Sequence, residues 1–141
     1  MEGLFPIIIN GAEAMREFGK TLKNHLKEGD ILALVGDLGA GKTHITQGIL
    51  AALDYPGEVT SPTFALVNEY TTAVPEVVHF DLYRMEQAEE LLEIGWEDYL
   101  ERDAILIVEW ADKFPELMPP GTKCIHIEHQ KNGRLLSYDV V

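Results

Sequence analysis

Apolar positions recur along the chain with two spacings, and the switches between them mark the elements. Phe5 to Ile9 is a short β-type run. Asn10-Gly11-Ala12-Glu13 follows with the spacing of a capping box that has Asn10 at the cap. Met15, Phe18, Leu22 and Leu26 then recur at three and four residues, which predicts a helix with one apolar stripe, stopped at Gly29-Asp30. Ile31 to Val35 is continuously apolar, as a strand buried on both faces should be. It runs straight into a glycine-rich segment, after which Ile45, Ile49 and Leu53 resume helical spacing.

Pro56-Gly57 and Ser61-Pro62 mark a loop, and Phe64 to Tyr70 reads as the next strand. Val77 to Phe80 is another apolar strand and ends in Asp81. The Glu-rich stretch from Glu86 to Arg102, with Leu91, Leu92, Ile94 and Leu100, suits one or two amphipathic helices broken near Gly95. Ala104 to Val108 is a buried strand ending in Glu109-Trp110. Past a loop rich in proline, Thr122 to Glu128 and Leu135 to Val141 alternate as strands about the turn signal Asn132-Gly133. With the string G-x-x-x-x-G-K-T, Gly36 to Thr43, between strand and helix, this order predicts an α/β fold: a P-loop NTPase-like, mostly parallel sheet flanked by helices, with a C-terminal β-hairpin extending one edge.

Composition narrows the classes. At 141 residues, 46% of them hydrophobic, the chain is expected to fold as a single domain over residues 1–141. One cysteine, Cys124, cannot make an internal disulfide, no apolar run is long enough for a membrane span, and Met1 to Asn10 lacks the features of a signal peptide. The expectation is a cytoplasmic protein with no membrane association. Acidic side chains number 24 against 11 basic ones, a formal net charge of −13. Such a field repels polyanions, so little direct nucleic-acid binding is expected. Cys124, His126 and His129 are spaced poorly for zinc, because strand alternation sets Cys124 and His126 on a solvent face opposite Ile125 and Ile127, with His129 on the other side.

The chemistry concentrates after the first buried strand. Gly36-Asp37-Leu38-Gly39-Ala40-Gly41-Lys42-Thr43 matches G-x-x-x-x-G-K-S/T in full and lies between a strand and a helix. That arrangement converges backbone N–H groups on phosphate oxygens, with Lys42 between the β and γ phosphates of ATP and the Thr43 hydroxyl on Mg²⁺. Mg²⁺ also wants a carboxylate, and Asp81 and Glu109 both end apolar strands. If these strands run parallel to Ile31 to Val35, both acids reach the edge where open α/β sheets bind ligands. One can hold the metal through water and the other can orient the attacking water. Ser61-Pro62-Thr63-Phe64 falls where P-loop proteins often sense the γ-phosphate, or is a plain proline turn.

Together with the P-loop, Thr60-Ser61-Pro62-Thr63-Phe64, His79-Phe80-Asp81-Leu82-Tyr83-Arg84, Glu97-Asp98-Tyr99-Leu100 and Glu109-Trp110 closely resemble the TsaE (YjeE) family over nearly the whole chain. The resemblance implies a bacterial ATPase needed for threonylcarbamoyladenosine beside the tRNA anticodon, working with the TsaB and TsaD proteins, TsaD carrying the chemistry on tRNA. It implies Mg²⁺ roles for Thr43 and Asp81, a nucleotide role for Thr63, and a place beside the nucleotide for Trp110. Glu109 would position the hydrolytic water or join the metal shell, and Asn10 and Arg134 would approach the base. His44 and Gln47 depart from the Thr and Arg commoner there in the family. Competing readings are a P-loop small-molecule kinase, which lacks an arginine-bearing lid here, and a nucleotide-gated binding module without turnover.

Overall fold

The computed structural model describes residues 1–37 and 39–141; Leu38, in the glycine-rich segment, lies outside them. In chain order the elements are β1 (Ile7–Ile9), α1 (Ala12–Leu22), β2 (Ile31–Gly36), α2 (Lys42–Ala52), β3 (Val67–Tyr70), β4 (Glu76–Asp81), α3 (Ala88–Glu93), α4 (Trp96–Leu100), β5 (Ala104–Glu109), β6 (Lys123–Gln130) and β7 (Gly133–Val140), with short 3₁₀ turns between some of them. The strands form one sheet in the order β1-β7-β6-β2-β5-β4-β3. Pairing is parallel from β6 through β2 and β5 to β4, and antiparallel at β3 and through β6, β7 and β1. Five strands therefore point one way, and only β3 and β7 oppose them, which is the mostly parallel α/β sheet expected.

Strand alternation divides the core into two layers. Leu32, Leu34, Ile105, Ile107, Ile125 and Ile127 pack on one face with Ile45 and Ile49 of α2 and Met15, Phe18 and Leu22 of α1. Ala33, Leu106, Val108, Val78 and Phe80 fill the other face with Leu91 of α3 and Trp96 of α4. Both faces being covered explains why β2 and β5 read as unbroken apolar runs and β4 as one interrupted only by His79. It also corrects the reading of Cys124. That residue packs into the second layer instead of facing solvent, and burial pushes its thiol up to about 11.

Local deviations have local causes. No capping box forms at Asn10: Gly11, with φ 94° and ψ 159°, is the cap residue of α1, and no side chain caps it. That backbone region suits glycine, so the helix starts one residue later and Asn10 stays exposed. Leu26 falls beyond the end of α1. β3 starts at Val67 because Leu66, at φ 70°, donates its N–H to the Pro62 carbonyl at 2.6 Å and closes a turn over the residues expected to extend. Gln130 pairs with Gly133, so Lys131 and Asn132 make the hairpin turn. β1, added to β7, is the outermost strand on that side. Gly95 separates α3 from α4, as the Glu-rich stretch suggested.

α1 and α2 touch backbone to backbone. A Cβ on Gly48 would run into the Arg16 carbonyl oxygen, and one on Gly19 into the Ile45 carbonyl oxygen. The contact holds α2, and with it the glycine-rich segment at its head, against α1. Helix propensity alone favours alanine over glycine by about 1 kcal/mol. Gly48→Ala is nevertheless expected to destabilise the protein by about 1–3 kcal/mol, the usual cost of overpacking. Thermal denaturation checks the sign, and a raised Tm would show that the two backbones do not meet.

Candidate functional site

β2 ends at Gly36 and α2 begins at Lys42, so the turn between them sits at the C-terminal edge of the parallel strands. Gly39 and Gly41 take φ values of 77° and 108°, a left-handed backbone that admits glycine without strain. Gly41 is also the cap residue of α2, and the helix's unpaired first-turn N–H groups open at the same edge.

Strand register sets two acids against this turn. Asp81 pairs with Glu109 across β4 and β5, and Glu109 pairs with Leu34 across β5 and β2. Each acid is only 3% exposed. A cleft of about 280 Å³ is lined by Gly39 through His44, Ser61, Thr63, Asp81, Glu109 and Trp110. Gly39, Ala40, Gly41, Lys42, Thr43, Thr63, Asp81, Glu109 and Trp110 among the sequence-derived candidates thus share one space. Gly36 and Asp37 meet it through Lys42, whose Nζ donates to the Gly36 carbonyl and, at 3.2 Å, to the Asp37 carbonyl. Asn10 and Arg134 stand apart. They line a second cleft of about 280 Å³ with Met15, which shares Gly39, Ala40, Gly41 and His44 with the first.

The side chains in the cleft are already ordered by one another. Asp81 accepts from the Thr63 hydroxyl at 2.8 Å and from the Tyr83 N–H at 2.9 Å, while the Ser61 and Thr63 hydroxyls lie 2.7 Å apart. Phe64, next along, is 83% exposed, and the Arg84 guanidinium lies over its ring at 4.2 Å. Lys42 Nζ sits 4.1 Å from the centre of the Trp110 ring. Trp110 holds φ 62°, an unusual backbone for a large residue, directly after Glu109. Burial lowers the Lys42 ammonium below the ordinary lysine range, partly offset by the attraction of Glu109 and Asp81.

Two features escaped sequence reasoning. His44 lines both clefts, with Arg16 Nη1 at 3.2 Å and Gln47 Oε1 at 3.1 Å from its Nδ1, and Gln47 donates to the Val59 carbonyl at 3.2 Å. His79, fully buried on β4, reaches Glu109 Oε2 with Nε2 at 2.6 Å. Its signal was a polar residue inside an apolar strand, two positions before Asp81 and hence on the same face. Among the described residues no group of three or more His, Cys, Asp and Glu is arranged to hold a metal. Two carboxylates and a threonine hydroxyl instead form a hard oxygen set of the kind that holds Mg²⁺ jointly with phosphates. No helix among the described residues is long and apolar enough to cross a membrane.

Residues 9–136 match the family model described as threonylcarbamoyl adenosine biosynthesis protein TsaE. The chain is 39% identical over 126 residues to the tRNA threonylcarbamoyladenosine biosynthesis protein TsaE of Haemophilus influenzae, covering 86% of this chain and 80% of that one. It is 38% identical over 135 residues to the protein of the same name from Rickettsia felis, covering 93% and 77%. The crystal structure of YdiB from Bacillus subtilis superposes with a TM-score of 0.79 at 29% identity, covering 97% of this chain and 85% of that one.

The environment of Lys42 makes a pH prediction. A lysine with a lowered pKa loses its proton earlier on the alkaline side, and a polyphosphate partner favours the protonated form. Polyphosphate affinity is expected to fall as pH rises through a range below that of ordinary lysines, with protons taken up on binding there. Calorimetry in buffers of different ionisation enthalpy reads both effects; a flat affinity into the ordinary lysine range would contradict them.

Proposed function

We propose, since the chain belongs to the TsaE family, that its part in tRNA threonylcarbamoyladenosine biosynthesis is to bind and hydrolyse Mg²⁺-ATP in concert with the TsaB and TsaD proteins. The observation that carries the reading is the register of β4 and β5 against β2, which gathers Asp81, Glu109, Lys42 and Thr43 round one cleft. On this reading the whole chain acts as one cytoplasmic P-loop domain.

Each residue has a role that its chemistry supports. Lys42 turns from the Gly36 and Asp37 carbonyls to the β and γ phosphates, a charge-assisted exchange. Backbone N–H groups from Gly36 to Thr43 cradle the phosphates. Thr43 and Asp81 supply the oxygens that hold Mg²⁺, and Asp81 has lone pairs to spare after its two hydrogen bonds. When bound, Mg²⁺ supplies charge neutralisation at the β and γ oxygens. Glu109 orients the attacking water and accepts its proton. Trp110 covers the phosphate end, and Asn10 and Arg134 border the second cleft, which suits the base.

Thr63 links nucleotide state to the protein surface. Its hydroxyl bond to Asp81 ties residues 60–64 to the metal-holding acid, and contact with a γ-phosphate would order that segment as hydrolysis would release it. Among the described residues lining the phosphate cleft, Lys42 is the sole lysine or arginine. A cation supplied in trans can contribute roughly 10³–10⁵ in phosphoryl-transfer rate. The isolated protein is therefore a slow ATPase that becomes competent when docked. Its charge of −13 leaves tRNA to a basic surface elsewhere in the assembly.

Lys42→Ala is expected to abolish ATP binding measured by calorimetry. Thr43→Ala and Asp81→Asn should weaken the dependence on magnesium more than they weaken bare nucleotide binding. Glu109→Gln should bind ATP nearly as well as wild type and lose about 10²-fold or more in hydrolysis. Phosphate release with and without TsaB and TsaD tests the whole reading: stimulation is expected, and rapid turnover by the lone protein, indifferent to both, would overturn it. Phosphate appearing on an added metabolite would instead reveal a kinase.

A further inference from the structure

We infer that His79 is a positioning residue that holds the Glu109 carboxylate by one oxygen and leaves the other for the reacting water. The inference rests on the assignment of Glu109 above.

Glu109 Oε2 is 2.6 Å from His79 Nε2, and that is the sole hydrogen bond of the carboxylate among the described residues. An ionised carboxylate can only accept, so Nε2 carries the hydrogen and donates it. Among the described residues Oε1 has no hydrogen-bond partner, and Glu109 lines the phosphate cleft. The two oxygens of one acid are thereby made unequal. One is spent on orientation and one is free for chemistry.

The anchor is well fixed. His79 is fully buried in the middle of β4, paired across the backbone with Asn68 on one side and Ile107 on the other. Its neighbours Val78 and Phe80 fill the opposite layer, so the ring cannot leave its side without disrupting that packing. The other ring nitrogen, Nδ1, is buried and has no partner among the described residues. An imidazole placed only for stability would be expected to satisfy both nitrogens or to be replaced by an apolar side chain. Among the described residues its one polar engagement is with the acid at the end of β5. A carboxylate on a side chain with three rotatable bonds needs such a restraint if one oxygen is to meet water in a fixed direction. Partners of this kind are worth about 10–100-fold where they orient a metal ligand, and a similar scale is expected here.

The test compares His79→Leu, His79→Gln, His79→Asn, Glu109→Gln and the double variant His79→Leu/Glu109→Gln in the full chain. Single-turnover hydrolysis is measured with protein in excess over Mg²⁺-ATP, beside ATP affinity by calorimetry and Tm as a check of folding. His79→Leu is expected to slow hydrolysis about 10–100-fold with ATP affinity within about threefold of wild type. His79→Gln, whose amide can reach Oε2, should recover most of the rate, whereas the shorter amide of His79→Asn should not. In the Glu109→Gln background His79→Leu should cost nothing further, since the group it positions is gone. If His79→Leu proves unstable, the Gln and Asn pair decides. Equal rates for those two, a folded His79→Leu variant at the wild-type rate, or the same fractional loss in both backgrounds would overturn the inference. Wild-type hydrolysis by Glu109→Gln would instead sink the role of Glu109 itself, which is a separate result.

Discussion

Parallel pairing of β2, β5 and β4 is the constraint on which the site hangs. Side chains at the ends of three separate strands can share a cleft only if the strands end together, and the register makes them do so: Leu34 beside Glu109, Glu109 beside Asp81. A slip of one residue along β4 would turn Asp81 and His79 into the α3 and α4 layer and bring Val78 and Phe80 against α2. Packing on both faces forbids that slip, because each layer has its own set of fitted apolar residues. The core therefore specifies the chemistry at the edge without touching it.

Burial then does two things to the acids. At 3% exposure, Asp81 and Glu109 have few partners, and those few fix them: Thr63 and Tyr83 on Asp81, His79 on Glu109. The same burial depresses Lys42, so the strongest cation in the cleft is held in surroundings that disfavour its charge. Two carboxylates facing one such lysine favour a further cation between them and a phosphate chain.

Much of this was legible in the residues. Strands covered on both faces read as apolar runs, so β2, β5 and, despite His79, β4 were plain, as were the acids that end two of them. The glycine-rich segment was plain because glycine spacing and a Lys-Thr pair carry a specific phosphate chemistry. What stayed hidden depends on partners distant in sequence or on single backbone angles. Asn10 lost its cap role to the left-handed Gly11, and Leu66 at φ 70° shortened β3. Cys124 was read as solvent-facing because a period of two cannot tell a wet face from one covered by Phe114 and Met118. His79 meets an acid thirty positions on, in another strand, and only the register joins them.

The backbone contact between Gly19 and Gly48 has a consequence beyond stability. At these two glycines backbone meets backbone, which fixes the spacing of α1 and α2. The head of α1 borders the second cleft, and the head of α2 borders both. The span from Asn10 to Thr43 is thereby set by helix backbones and not by loops, and the pair works as a gauge. On the proposed reading a nucleotide with its base at the α1 end would lie along that gauge. A triphosphate would then extend towards Ser61 and Thr63, and a diphosphate would stop one phosphate short. On the proposed reading, the fixed spacing of the two helix heads decides whether a nucleotide reaches the Thr63 segment.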